Sequence, residues 1–260
     1  MGDLGKMNKF FSGKRVLVTG HTGFKGAWLT KVLTLWGAEV AGISMPPQTK
    51  PNLFTALSLE DKIQNFFVDI RDQKKLQAVF EKFKPEIVFH LAAQAIVKVS
   101  YDEPLLTYET NVIGSANVLQ SVRKTKSVKA VVMITSDKAY ENAEWVYPYR
   151  ETDRLGGHDP YSASKAAADI IDQSFIKSFF AEEGSPLVAI ARAGNVIGGG
   201  DWSPNRIVPD VIRAIYEEKK AVVVRNPEAI RPWQFVLEPL SGYLLLAKKL
   251  FEGDKTLVTQ

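Results

Sequence analysis

"RVLVTGHTGFKGAWLTKVLTLWG", residues 15–37, decides the fold. It opens as a short apolar run and breaks at Gly20. After the break, Ala27, Leu29, Val32, Leu33 and Trp36 recur at helical spacing until Gly37 stops the pattern. A strand joined by glycines to a helix is the first unit of an α/β chain. Gly20, Gly23 and Gly26 occupy the joint. Gly20 permits a tight turn, Gly23 lets the backbone approach a pyrophosphate, and Gly26 lets helix and strand pack closely. The helix N-terminus that follows favours phosphate charge. A plain strand–helix turn would use the same glycines, but their place at the head of an alternating chain favours a dinucleotide loop. Thr22, Phe24 and Lys25 stand between the glycines and are expected in the same cofactor site.

Outward from this stretch the alternation continues. "EVAGIS", "NFFVDI", "EIVFHLAA", "AVVMITS" and "PLVAIARAG" read as strands. "DQKKLQAVFEKF", "LLTYETNVIGSANVLQSVRKT" and "YSASKAAADIIDQSFIKSFF" read as the helices between them, the first ending before Pro85. "IVPDVIRAIYEEKK", "AVVV" and "PLSGYLLLAKKLFE" follow, and residues 45–54 and 198–206 read as loops. Strands made of continuous Val/Ile runs, each followed by a helix, predict a doubly wound parallel sheet covered on both faces. The main, cofactor-binding body is expected over 1–190.

The bulk composition excludes several classes. The chain of 260 residues is 45% hydrophobic and 24% charged, ordinary for a globular protein, which argues against disorder. A formal net charge of +4 is spread over scattered lysines, so nucleic acid is not expected as a partner. No cysteine is present, which removes disulfides, thiolate nucleophiles and Cys-ligated metals. With only His21, His90 and His158, a metal site or a histidine triad is not expected. His90 lies inside an apolar run and reads as a packed strand residue. The N-terminal "MGDLGKMNKFFSGK" is too polar for a signal peptide, and no apolar run reaches membrane-spanning length. The reading is cytoplasmic, with no membrane partner.

An acidic residue at the end of the second strand would bind the adenosine ribose. Ser44 stands there instead, and no arginine is present to seat a 2′-phosphate, which favours NAD without settling NAD against NADP. Asp69, with Ile70 beside it, closes the third strand and could meet the adenine amine or serve as a turn carboxylate. Further on, Tyr161 and Lys165 share one helix face. A phenol is a poor base at neutral pH because its usual pKa is about 10. A nearby ammonium and a cationic nicotinamide would favour the phenolate, and Tyr161 could then accept a proton from a sugar hydroxyl. Tyr-x-x-x-Lys alone is common on helices. Joined to the glycine loop and to "TSDK" at a strand end, it is much harder to reach by chance.

The motifs "TGHTGFKG", "LAAQA", "TNVIGSANVL", "TSDKAY" and "YSASK" occur in the order of the extended short-chain dehydrogenase/reductase family, which this sequence resembles. With "LGGHDPYSASKAAAD", "ARAGNVIGGGDW", "RIVPD" and "RPWQFVLEPLSGYLLLA" added, it is similar to the branch of sugar-nucleotide 4,6-dehydratases that acts on CDP-glucose. The resemblance spans nearly the whole chain. It implies a Rossmann fold, NAD as cofactor and CDP-glucose as substrate. It also implies a homodimer formed by helices over 105–124 and 161–180. In the implied reaction C4 is oxidised, water leaves across C5–C6, and the hydride returns to C6.

By the same resemblance Ser136 hydrogen-bonds the sugar beside Tyr161, and Asp137 protonates the departing C6 hydroxyl. Lys138 replaces the glutamate that removes the C5 proton in sister enzymes. An ammonium cannot take a proton, so Lys138 acts as base only if burial or neighbouring charge depresses its pKa. Otherwise it stabilises the enolate, or is a solvated lysine paired with Asp137. Leu91, Ala92, Ala93, Gln94 and Asn111 are expected along the cofactor, and Gln94, Asn195, Arg206 and Arg231 along the sugar nucleotide. Arg231 suits a pyrophosphate, because its planar fork binds two oxygens; a surface ion pair is its plainer role. Family members continue beyond the final "EGDKTLVTQ", so 191–260 is expected to be a partial substrate lobe. Two classes stay open: an active dehydratase, or a nucleotide-binding remnant or dimerisation partner. A related epimerase or reductase is disfavoured by Asp137.

Overall fold

The computed structural model describes residues 2–219, 221, 224 and 226–258. In chain order the helices are α1 (Gly2–Phe11), α2 (Phe24–Leu35), α3 (Leu53–Ala56), α4 (Gln73–Phe83), α5 (Val97–Asp102), α6 (Pro104–Tyr108), α7 (Gly114–Lys124), α8 (Pro160–Phe179), α9 (Ile207–Arg213) and α10 (Leu237–Phe251). The strands are β1 (Arg15–Thr19), β2 (Glu39–Ser44), β3 (Gln64–Phe67), β4 (Ile87–His90), β5 (Ala130–Ile134), β6 (Leu187–Ala191), β7 (Asn195–Ile197) and β8 (Trp233–Phe235). The stretch "AVVV" (221–224) lies partly outside the described residues.

β1 to β6 form one parallel sheet in the order β3-β2-β1-β4-β5-β6. This is the expected doubly wound arrangement, and the strand order reverses between β1 and β4. Alternate residues of each strand point to opposite faces. Val16, Val18, Ile87, Phe89, Val132 and Ile134 pack on one side with Leu29, Leu33, Leu240 and Leu244. Leu17, Val88, Val131 and Met133 pack on the other with Leu76, Phe80, Val118, Leu119 and Ile176. Both faces are thus dry, which is why the strands read as unbroken apolar runs.

Four features depart from the sequence reading. The polar N-terminus contains α1, whose Met7 and Phe11 join the core, with Phe10 edge-on to Phe251 of α10 at 5.3 Å. The expected single helix over 105–124 is α6 and α7 joined by a π-helical turn, Glu109–Ile113. The third strand ends at Phe67, so Asp69 and Ile70 fall in the turn that follows. Most consequentially, α10 lay in the expected lobe 191–260, yet Val236, Leu240, Tyr243, Leu244, Ala247 and Leu250 are buried against the main sheet. A boundary at 190 therefore cuts off a helix that covers the body. Within 195–235, β7 and β8 form a parallel pair separate from the main sheet.

Candidate functional site

The glycine loop lies at the strand-order reversal, between β1 and α2. Gly20 has φ +76°, and its N–H donates to the Ile43 carbonyl at 2.7 Å. A Cβ on Gly20 would fall 2.8 Å from the Ala92 nitrogen, and one on Gly26 would collide with the Gly20 carbonyl. Both positions require glycine sterically. Gly23 begins α2 in an extended conformation, and no side chain caps the helix. The first-turn N–H groups are left open to an anion. Thr22 closes the loop on the end of β2: its hydroxyl donates to the Met45 carbonyl at 2.9 Å and meets Ser44 Oγ at 2.8 Å. Across the crevice the Leu91 and Ala92 N–H groups both donate to Thr19 Oγ1 at 3.2 Å, which brings residues 91–94 beside Gly20. An uncapped helix N-terminus behind a glycine cradle fits the diphosphate of NAD.

Three residues expected at the cofactor also make contacts within the chain. The Asp69 carboxylate accepts from the Arg71 N–H at 2.9 Å and from its guanidinium at 2.7 Å, which holds its pKa below the usual range. Ile70 is buried against Gly114, where an added Cβ would lie 2.5 Å from its Cδ1. Asn111 is buried in the π-helical turn; its Oδ1 accepts from Gln94 N–H at 2.8 Å, and its Nδ2 donates to the Gln94 carbonyl at 3.0 Å and to Ser164 Oγ at 2.8 Å. It braces the 91–94 loop against α8. Gln94, expected on the sugar, is also committed: it donates to Thr107 Oγ1 at 2.8 Å and accepts from Ile96 N–H at 2.6 Å.

The second half of the site forms where β5 and α8 meet. Asp159 caps α8, accepting from Ser162 N–H at 2.9 Å, and Pro160 takes the first helical position. Tyr161 N–H donates to Ser100 Oγ at 3.1 Å, which fixes the ring's base. Ser136 leaves β5 and donates to Asp137 Oδ1 at 3.0 Å, and it is also hydrogen-bonded to the Tyr161 phenol. Asp137 N–H donates to the Ala193 carbonyl at 3.1 Å, anchoring the turn to the end of β6. Ser136, Asp137 and Tyr161 thus stand together beside the glycine loop.

Burial dominates the electrostatics of the chain's own groups. Burial pushes the Tyr161 phenol above its ordinary pKa; the Ser136 hydrogen bond and Arg206 only counter it. Among the chain's own groups, desolvation of the phenol outweighs the help from the Ser136 hydroxyl and Arg206. Lys165 is buried, and desolvation pushes it down to about 8 against the pull of Asp172 and Asp169. Lys25 is half-buried and likewise brought down to about 8, by burial first and then by Lys165 and Arg206, with Asp137 opposing. His90 hydrogen-bonds Thr19 Oγ1 at 2.7 Å and Ser115 Oγ at 3.0 Å and is the packed strand residue expected; burial holds it neutral, down to about 3.

On the rim, Arg206 sits at the start of α9 and reaches Asp201 at 3.4 Å. Asn195 opens β7 and is half-buried. Arg231 is exposed, with Nη1 donating to the Ile230 carbonyl at 3.0 Å. Its neighbour Pro232 and Asp137 Oδ2 both lie against Gly194, 3.3 and 3.4 Å from where its Cβ would stand, so the turn before β8 borders the site. Lys138 is exposed, and among the described residues no ion pair joins it to Asp137.

Sequence reasoning missed the groups beneath the site. Asp169 is fully buried and bound by Arg192 at 2.7 Å, Thr135 Oγ1 at 3.1 Å and Gln173 Nε2 at 2.8 Å. Asp172 is buried with no hydrogen-bond partner on either oxygen. The available signal was in "KAAADIID": Lys165, Asp169 and Asp172 recur at helical spacing on one face.

Known proteins share this sequence pattern and fold. The model of the family described as "NAD dependent epimerase/dehydratase family" matches residues 16–258. The chain is 51% identical over 251 residues to the CDP-glucose 4,6-dehydratase of Salmonella typhimurium, covering 95% of this chain and 70% of that protein. It is 27% identical over 249 residues to a dTDP-D-glucose 4,6-dehydratase of Dictyostelium discoideum, covering 91% of this chain and 56% of the relative. Among solved structures, the UDP-glucose 4-epimerase of Thermus thermophilus in complex with NAD superposes with TM-score 0.76 at 27% identity, over 90% of this chain and 74% of that one.

Proposed function

The chain belongs to the NAD dependent epimerase/dehydratase family, and on that premise we propose that it is an NAD-dependent 4,6-dehydratase converting CDP-glucose to CDP-4-keto-6-deoxyglucose. The observation that carries the reading is the meeting of Ser136, Asp137 and Tyr161 beside the glycine loop. An epimerase or a simple reductase has no leaving hydroxyl and no use for the acid.

Bound NAD supplies the acceptor for the C4 hydride and the donor for its return to C6. Tyr161 takes the proton of the C4 hydroxyl, and Ser136 hydrogen-bonds the same oxygen. Lys165 adds positive charge behind Tyr161, which the chain alone leaves above its ordinary pKa. Asp137 protonates the C6 hydroxyl as it departs. Exposed Lys138 serves as positive charge beside the enolate, with water taking the C5 proton. Arg206 and Asn195 hold the sugar nucleotide, Arg231 its diphosphate, and Gln94 and Asn111 keep the 91–94 loop in place. The cofactor body comprises 1–190 together with 237–258, and 195–235 is a partial substrate lobe. The chain works as a cytoplasmic homodimer; exposed Leu105, Ile113 and Ile170 on the two long helices support that contact.

Mass spectrometry tests the reading. The chain is incubated with NAD and CDP-glucose, UDP-glucose or dTDP-glucose. A product one water lighter from CDP-glucose is expected. An unchanged mass in every sample, with NAD bound and the C4 configuration unchanged by proton NMR, would leave a cofactor-binding remnant; an unchanged mass with C4 inverted by NMR would make the chain an epimerase.

A further inference from the structure

The turn that carries Ser136 and Asp137 is gripped at both its ends. Before it, Thr135 donates its hydroxyl to Asp169 Oδ2 at 3.1 Å. After it, the Tyr140 hydroxyl accepts from Arg192 Nη1 at 2.9 Å, and the guanidinium lies 4.8 Å from the centre of the Tyr140 ring. The two grips are one unit, because Arg192 and Asp169 pair through two bonds, Nε to Oδ2 at 2.8 Å and Nη2 to Oδ1 at 2.7 Å. Asp169 is fully buried and the Arg192 side chain nearly so. A buried pair of this kind adds little net stability, since desolvation offsets the attraction; what the planar fork supplies is fixed geometry. Asp169 stands on α8 about one turn beyond Lys165 and two beyond Tyr161. The pair therefore ties the helix that carries Tyr161 to the turn that carries Asp137.

We propose that Asp169 and Arg192 are positioning residues, which hold residues 136–139 at both ends and so set Asp137 against Tyr161. The inference rests on the reading that Asp137 and Tyr161 act on one sugar. Tyr161 and Lys165 ride on the same helix, whose start Asp159 and Ser100 hold independently of the pair. Oxidation at C4 therefore keeps its base and its neighbouring charge when the pair is weakened. Loss of water needs the acid on the turn aligned with a sugar that the helix holds through Tyr161, and an error of about 1 Å in such an alignment costs up to about 100-fold. A pair that served stability alone would leave the ratio of the two steps unchanged.

The test compares variants of the full chain, with circular dichroism confirming that each folds. Arg192→Lys keeps the charge and loses the fork; Thr135→Val and Tyr140→Phe each remove one grip and keep the shape. Gln173→Met removes a bond of 2.8 Å to the same Asp169 carboxylate without touching the turn. With NAD and CDP-glucose in single-turnover absorbance, the first three should slow loss of water relative to C4 oxidation by roughly three- to tenfold, so that reduced cofactor builds up. Gln173→Met should leave that ratio within about twofold of the parent. Hydrogen exchange read by mass spectrometry should show amide protection over 137–142 falling about tenfold in the first three variants, with 163–178 unchanged. An unchanged ratio in all three, equal slowing of both steps, or protection lost evenly along α8 would overturn the inference while leaving the dehydratase reading intact. If the unsubstituted chain neither oxidises nor dehydrates CDP-glucose, that reading fails, and the pair has no reaction to position whatever the exchange shows. Should Arg192→Lys not fold, Thr135→Val and Tyr140→Phe decide.

Discussion

The C-terminal edge of the main sheet and the segment 195–235 that borders it use their side chains differently. On the sheet edge nearly every polar group has a partner: Thr19 with His90, Thr22 with Ser44, Asn111 with Gln94 and Ser164, Ser136 with Asp137. In 195–235 large apolar side chains face outward, with Ile212 52%, Tyr216 74% and Ile230 91% exposed. The first region is held by a core on both faces of a six-stranded sheet; the second is a two-stranded pair with one short helix and its π-helical continuation. The sheet edge is therefore fixed by the fold itself, while 195–235 presents individual polar groups such as Arg206 and Asn195.

This contrast can be broken at several points, from severe to slight. Tyr161→Phe removes the only phenol hydrogen-bonded to Ser136 among the described residues. Turnover should fall by about 10³ or more while NAD affinity stays within about twofold; retained activity in steady-state kinetics would break the catalytic assignment. Gly20→Val places a branched side chain at φ +76° against the Ala92 nitrogen. It should weaken NAD binding by about 100-fold, or destabilise the chain by several kcal/mol, as read by titration and thermal melting. Asp137→Asn should allow C4 oxidation and slow loss of water by about 10²-fold, so reduced cofactor should accumulate in single-turnover absorbance.

Asp172→Asn probes the buried underside. Burial raises the Asp172 carboxyl well above its usual pKa, with Asp169 adding to the effect. A raised carboxyl binds its proton more tightly in the folded state, so its contribution is full below the unfolded value near 4 and is lost as pH rises toward the folded one. Asparagine cannot ionise. The variant should match the parent near pH 4 and exceed its stability at pH 8 by about 1–3 kcal/mol, measured by denaturant melts; a gap that narrows as pH rises would contradict this. At the slight end, Ile212→Ser in the open segment should change stability by less than about 0.5 kcal/mol.

The sheet was legible because each of its strands is an uninterrupted apolar run flanked by a helix with its own stop signal. The glycine loop was legible because Gly20 and Gly26 are sterically required. α1 was not legible: Met7 and Phe11 mean little until α10 and the sheet supply a surface for them. α10 gave its helical pattern but not its allegiance, since an apolar stripe does not say which face it covers. The π-helical turn was hidden because Asn111 distorts the helix through bonds to Gln94 and Ser164, which lie 17 and 53 residues away. The desolvation of the Tyr161 phenol was hidden for a similar reason: spacing places Lys165 nearby, but only packing reveals how deeply the phenol is buried.

The most direct test of the central claim follows the hydrogen at C4. CDP-glucose deuterated at C4 is turned over by the chain with NAD in ordinary water, and the product is examined by proton and deuterium NMR. Deuterium recovered at C6, with no net release of reduced cofactor, is the result expected of a site that oxidises, dehydrates and returns the hydride. Deuterium still at C4, or lost from the sugar while reduced cofactor builds up, would contradict it.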